Sequence, residues 1–173
     1  LANTGSFPVQ ISDGKLNVGL VWGGSPTHKN DHNRSLTLSQ LKPFLDITGC
    51  RFHNLQVDDR KLEISADGLS DHVLDMTDNI RDLADTADLI AQLDLVIAVD
   101  TSVAHLAGAM GTPVWILLPK PADWRWLRDR EDSPWYPTAR LFRQTKRGDW
   151  EDVIERVASE LEAYSLRQAG RLN

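Results

Sequence analysis

The chain has 173 residues, a formal net charge of −6 and a sequence pI of about 5.3, a length that suits one domain. The acidic balance argues against duplex nucleic acid or an anionic membrane surface as the main partner, and no apolar run approaches the roughly 20 residues of a membrane span. A single cysteine, Cys50, excludes an internal disulfide and fits a reducing, cytoplasmic setting, with the thiol buried rather than nucleophilic.

The first residues, "LANTGSFPVQ", carry no signal-peptide pattern and no initiator Met. Residues 1–14 therefore read as a linker or tail, and the chain as a piece of a longer polypeptide. "LNVGLVW" (Leu16 to Trp22) is the first strand and "GGSPTHKNDHNRS" (Gly23 to Ser35) the polar loop after it. "TLSQLKPFLDITG" has helical spacing, with Pro43 in a first turn or at a kink and Gly49 as a stop. "RFHNLQV" (Arg51 to Val57) is a second strand, "DDRKLEIS" a short helix or loop, and "HVLDMT" a short third strand.

"DLADTADLIAQLD" places Leu83, Ala87, Ile90 and Ala91 on one helical face. "LVIAV" is the continuous β-branched run that a strand covered on both faces requires. "TSVAHLAGAMG" is a helix stopping at Gly111, "TPVWILL" a buried strand, and "ARLFRQ" another strand. A last helix begins at "GDWEDV" with Asp149 as N-cap, and Trp150, Val153, Ile154, Val157 and Leu161 form its apolar stripe. This alternation predicts an α/β fold: a Rossmann-like, doubly wound parallel sheet of about six strands.

In such folds ligands sit beyond the carboxyl ends of the strands. Asp100 and Thr101 lie where "LVIAV" gives way to its helix, whose first N–H groups lack internal partners and suit a phosphate. The hydroxyls of Thr101 and Ser102 add donors. His105, one turn on, leans back toward the same place. Ala104 and Gly108 share that side, while Val103, Leu106 and Met110 read as core. The other reading of "VDTS" is helix capping alone. The loop after the first strand emerges on the same edge: Gly23, Gly24 and Ser25 allow close approach, and Lys29 and Arg34 supply cations. Its other reading is a solvated basic loop. His28 and His32 are four apart without a third ligand, so no metal is expected. A dinucleotide glycine fingerprint, a P-loop, a nucleophile elbow and an Asp-x-Asp pair are all absent. "DRE" (Asp129 to Glu131) is a solvated charge run.

"DLVIAVDTSVAHLAGAMGTPVWIL" resembles the hallmark segment of the family 9 glycosyltransferases, the heptosyltransferase group. "GLVWGGSPTHKNDHNRSLTL" and "DWRWLRDREDSPWYPTARLFRQTKRGDWEDVI" look closer to a bacterial subgroup in which tetratricopeptide repeats precede such a region. The resemblance implies the C-terminal half of a GT-B architecture, binding a nucleotide-sugar donor without metal or other cofactor. It sets Asp100, Thr101 and Ser102 against the donor's diphosphate and sugar, with His105 as the motif histidine. Lys29 or Arg34 falls at a phosphate contact, in the loop that also holds Gly24 and Ser25, and Gln56 faces the nucleoside. The catalytic base is expected in an N-terminal domain outside this chain, so the isolated chain is expected to be inactive. Where the family has a short Gly-Pro-Thr-Asp-Pro loop, this sequence has "LPKPADWRW", and its Trp side chains read as core or an interdomain face. The alternative function is a non-catalytic nucleotide-binding or protein-interaction module attached to repeats.

Overall fold

The computed structural model describes residues 14–170; the expected linker or tail lies outside them apart from Gly14. Six strands form one parallel sheet: β1 (Leu16–Val21), β2 (Cys50–Asn54), β3 (Val73–Asp75), β4 (Leu95–Val99), β5 (Val114–Leu118) and β6 (Ala139–Arg143). Their order is β3-β2-β1-β4-β5-β6. The chain builds outward from β1 in one direction, then returns to β4 and builds in the other. The carboxyl ends of β1 and β4 thus flank the crevice where the winding reverses, the usual ligand position in this class.

Alternation within the strands explains the two layers. Leu16, Val18, Leu20, Leu95, Ile97 and Val99 face one core with Phe44, Phe52 and Trp150. Val21, Val96, Ala98, Ile116 and Leu118 face the other, with Leu89, Ala104 and Trp126. β4 is buried at every position because both faces are covered. Helix α6 (Glu151–Ala169) lays Val153, Ile154, Val157 and Leu161 on the first core as its spacing requires. Each such side chain contributes about 1.5–3 kcal/mol of burial. Trp150 takes the cap position of α6, and Asp149 reaches only the Asp152 N–H at 3.4 Å.

Three expectations need correction. The helical pattern over 37–49 is not one helix but a 3₁₀ turn (Leu38–Leu41) followed by α2 (Lys42–Leu45), because Pro43 fits only a first turn. Helix α4 (Leu83–Ile90) buries Thr86, Leu89 and Ile90, while Leu83 is 58% exposed. Helix α5 (Ser102–Met110) buries Ala104, Ala107 and Gly108, leaving Val103 and Leu106 half-buried and Met110 exposed. Helix α5 lies close to its neighbours, with the Tyr136 ring in the place of a side chain at position 108, and close approach selects small residues over large ones. Gly111 ends α5 in the left-handed conformation (φ 76°), as its position in the sequence suggests. Among the described residues the remaining helical pieces are α1 (Asp31–Arg34), α3 (Glu63–Ala66) and three 3₁₀ turns (Asp59–Leu62, Thr77–Asn79 and Trp124–Trp126).

Candidate functional site

A hollow of about 350 Å³ opens between the carboxyl ends of β1 and β4. Gly23, Gly24, Ser25 and Arg34 line one side, Gln56 and Asp58 a second, and Thr101 and Ser102 a third. The two loops expected to share an edge do share one hollow. A larger space of about 430 Å³, walled by α2 and α6, lies beside Gly14 and Gly49 at the opposite, amino ends of β1 and β2. It has no part in this arrangement, because its polar lining holds no cation.

The helix start is open. Thr101 occupies the N-cap of α5, yet its side chain makes no capping hydrogen bond, and its hydroxyl donates back to the Val99 carbonyl at 3.2 Å. Capping alone therefore does not explain "VDTS". Ser102 is exposed at the mouth. Uncapped first-turn amides carry the partial positive charge of the helix end into the hollow.

The glycine loop is more committed than the sequence suggests. Gln56 Oε1 accepts from the Gly23 N–H (3.0 Å) while its Nε2 donates to the Gly23 carbonyl (3.1 Å) and to Asp58 Oδ1 (2.9 Å). Gln56 is thus a brace between the two loops, with little amide left for a nucleoside. The Gly24 N–H goes to Ser35 Oγ (2.9 Å), which donates to Asp31 Oδ1 (2.8 Å). The glycines serve instead as room for cations: a Cβ on Gly24 would strike the Arg34 guanidinium, and one on Gly23 would strike Arg60.

Arg34 donates to the Asp100 carbonyl at 2.9 Å and pairs with Asp31 at 3.3 Å. Arg60 pairs with the same carboxylate at 2.5 Å. Asp31 is 7% exposed and ties the two arginines together, of which Arg34 lines the hollow. Sequence reasoning missed Asp31 and Arg60; the i, i+3 spacing of Asp31 and Arg34 was the one signal available. Lys29, expected as a phosphate contact, is exposed and does not line the hollow. Ser25 is exposed and shares a hydroxyl hydrogen bond with Thr27 (2.8 Å). His28 Nδ1 accepts from the Asn30 N–H, and among the described residues no three His, Cys, Asp or Glu side chains converge.

Asp100 and His105 form a second group beside the hollow. His105 stacks on Trp126 (centroids 5.1 Å, 17°), its Nδ1 lies 2.9 Å from the Tyr136 hydroxyl, and its Nε2 lies 3.6 Å from Asp100 Oδ1. The ring thus leans toward Asp100 and does not line the hollow at the helix start. Burial alone would raise the Asp100 pKa. The neighbouring His105 and Trp126 side chains and the Arg125 charge outweigh it and hold the carboxyl below the ordinary range. The Trp126 N–H, fully buried, faces this carboxylate without closing a hydrogen bond of good geometry. Trp22, Trp115, Trp126 and Trp150 are core, whereas Trp124 and Trp135 are exposed (75% and 59%). Asp123 caps its own turn through the Arg125 N–H at 3.0 Å.

Comparison with known proteins agrees with this layout. Residues 79–120, which run from before α4 to just beyond β5, match the model of glycosyltransferase family 9 (heptosyltransferase). Protein FlbA of Caulobacter vibrioides is 33% identical over 153 residues, which make up 86% of this chain and 25% of FlbA. The E. coli ADP-heptose lps heptosyltransferase II superposes with a TM-score of 0.61 at 20% identity, over 91% of this chain and 48% of that one. E. coli heptosyltransferase WaaC with ADP gives 0.56 at 13% identity, over 91% and 45%. At such identities the two structures speak to the fold. The chain spans a quarter of FlbA and just under half of each transferase.

Proposed function

From the premise that the chain carries a heptosyltransferase-like glycosyltransferase family 9 domain, we propose that it is the donor-binding half of a glycosyltransferase acting without metal. The observation that carries this reading is the uncapped start of α5, opening with Thr101 and Ser102 into the same hollow as Gly24, Ser25 and Arg34. A nucleotide-sugar's diphosphate suits that hollow. Arg34 lines the hollow beside aimed N–H groups, and Arg60 lies against Gly23 on the same Asp31 carboxylate, so charge developing on the departing diphosphate meets donors already in place. Lys29 stays at the loop rim as a long-range attraction. Asp100 Oδ1 and His105 Nε2, 3.6 Å apart, offer an acceptor and a donor side by side. A hydroxyl is both donor and acceptor and bridges such a pair, which fits the sugar part of the donor.

The reaction also needs a base for the acceptor hydroxyl. That group belongs to an N-terminal domain of the same polypeptide, so the chain is incomplete by itself and works in the cytoplasm as part of a bacterial protein. The test is titration with UDP-, GDP- and ADP-sugars, followed by a transfer assay. Binding without turnover by this chain alone is expected; sustained sugar transfer by the chain alone contradicts the reading.

A second reading rests on Asp31. One carboxylate holds Arg34 and Arg60 together, and Asp58 and Asp100 stand nearby, so the mouth is less cationic than its arginines suggest. That favours a nucleotide-binding or interaction module without catalysis, attached to tetratricopeptide repeats. An upstream Rossmann-like half with an acid at its cleft edge selects the enzyme; repeats alone select the module.

A further inference from the structure

Tyr136 lies outside the segment that matches the family, in the loop between β5 and β6. Its ring occupies the space that a side chain at position 108 would need: a Cβ there would lie 2.5 Å from the Tyr136 Cγ. Trp126 closes the other side of the imidazole. This loop is firmly held. Arg143 donates to the carbonyls of Trp126 and Arg130, Trp135 Nε1 donates to the Arg125 carbonyl (2.9 Å), and the Leu141 N–H donates to the Glu131 carbonyl (2.7 Å). Leu127 and Asp129 sit at positive φ (55° and 54°), a strained backbone that such anchors sustain.

We infer that Tyr136 is a positioning residue: its hydroxyl donates to His105 Nδ1, fixes the Nε2–H tautomer and turns that N–H toward Asp100. The charges decide the direction. A neutral imidazole has one N–H and one lone pair, and Asp100 is held ionised on the Nε2 side. A lone pair facing a carboxylate is repelled, so Nε2 carries the proton and Nδ1 accepts from Tyr136. At 3.6 Å the Nε2–H closes no hydrogen bond with Asp100 and stays available to a ligand oxygen. Tyr136 thereby sets what His105 offers: a donor paired with the Asp100 acceptor, selecting a hydroxyl over a bare anionic oxygen. This inference rests on the donor-sugar reading for its consequence, but not for the tautomer.

The test is a ring-nitrogen NMR spectrum of the histidines above neutral pH, with the His105 signals among the five histidines assigned by their loss in His105→Gln. The wild type is expected to show the Nε2–H form. Tyr136→Phe keeps the ring over Gly108 and removes only the hydroxyl; with Asp100 left to favour the Nε2–H form unaided, it is expected to shift the His105 ring-nitrogen signals and admit a minor Nδ1–H form, with stability lowered by no more than the worth of one hydrogen bond. Its nucleotide-sugar affinity is expected to fall about 3- to 10-fold, the worth of one ordinary hydrogen bond, while affinity for the nucleoside diphosphate without sugar holds. Gly108→Ala displaces the ring and is expected to alter the tautomer by a different route. An Nδ1–H tautomer in the wild type, or an unchanged His105 spectrum in Tyr136→Phe, overturns the inference. If the tautomer responds as expected but the wild type binds no nucleotide sugar, the positioning role stands and the donor reading falls.

Discussion

Helices α4 and α5 sit side by side against the same core and are introduced by similar polar residues, yet their first turns end up differently. Asp82, before α4, accepts from the N–H groups of Ala84 (2.9 Å) and Asp85 (3.0 Å), and Asp85 takes the Arg81 N–H (2.9 Å). That helix end is closed by its own side chains. Thr101, before α5, turns its hydroxyl back to Val99 and leaves the amides of its helix to the hollow. A helix end left open against a glycine loop and Arg34 carries partial charge that a ligand can use, whereas the closed end contributes only stability.

The largest effect that sharpens this contrast comes from pH, through a histidine buried in the sheet. His53 on β2 is 1% exposed, and burial, with the Arg51 charge second, lowers its pKa from 6.5 to about 4. The unfolded chain therefore binds a proton more readily. Stability is fully present above pH 6.5 and falls as pH drops toward 4, by on the order of 3 kcal/mol. Asp100, held below the ordinary carboxylate range, keeps its charge through that window. Urea melts across this range should show the slope, and His53→Gln should flatten it.

Next in size, Thr101→Asp gives α5 a cap like that of α4 and sets a negative charge where the phosphate belongs. Affinity for a nucleoside diphosphate should fall about 30-fold, near 2 kcal/mol, while stability rises by up to about 1 kcal/mol. Equal affinity in both proteins breaks the contrast. Asp82→Ala does the converse: about 1 kcal/mol of stability lost in denaturant melts, with binding unchanged. Smallest of all, Lys29→Ala should alter affinity less than about 2-fold at physiological salt, because the side chain is outside the hollow and screened. A larger loss by calorimetry would return Lys29 to the site.

The part of this comparison readable in the sequence is the part built from local signals. β4, α5 and β5 lie where the β-branched runs and Gly111 put them, and the six-stranded parallel sheet follows from strand–helix alternation. The face of α6 was readable, but those of α4 and α5 were not: Leu83 and Met110 are exposed, and over α5 the Tyr136 and Trp126 rings, supplied by a later loop, take the close positions. The site divides along the same line. Gly24, Ser25, Arg34, Gln56, Thr101 and Ser102 meet at one hollow as the strand ends imply, whereas Asp100 and His105 turn to a neighbouring group built on Trp126 and Tyr136. Arg60 enters from the turn after β2 and is tied in by Asp31, a pairing across 29 positions that no local spacing announces.

The most direct measurement is calorimetry of the wild-type chain with ADP, GDP and UDP, each set against its own nucleoside. An open helix end beside Arg34 predicts that the diphosphates bind, with at least one at micromolar affinity, and that the nucleosides bind about 100-fold more weakly or not at all. A nucleoside that binds as tightly as its diphosphate, or no heat from any of the three diphosphates, contradicts the claim that this hollow is made for a diphosphate.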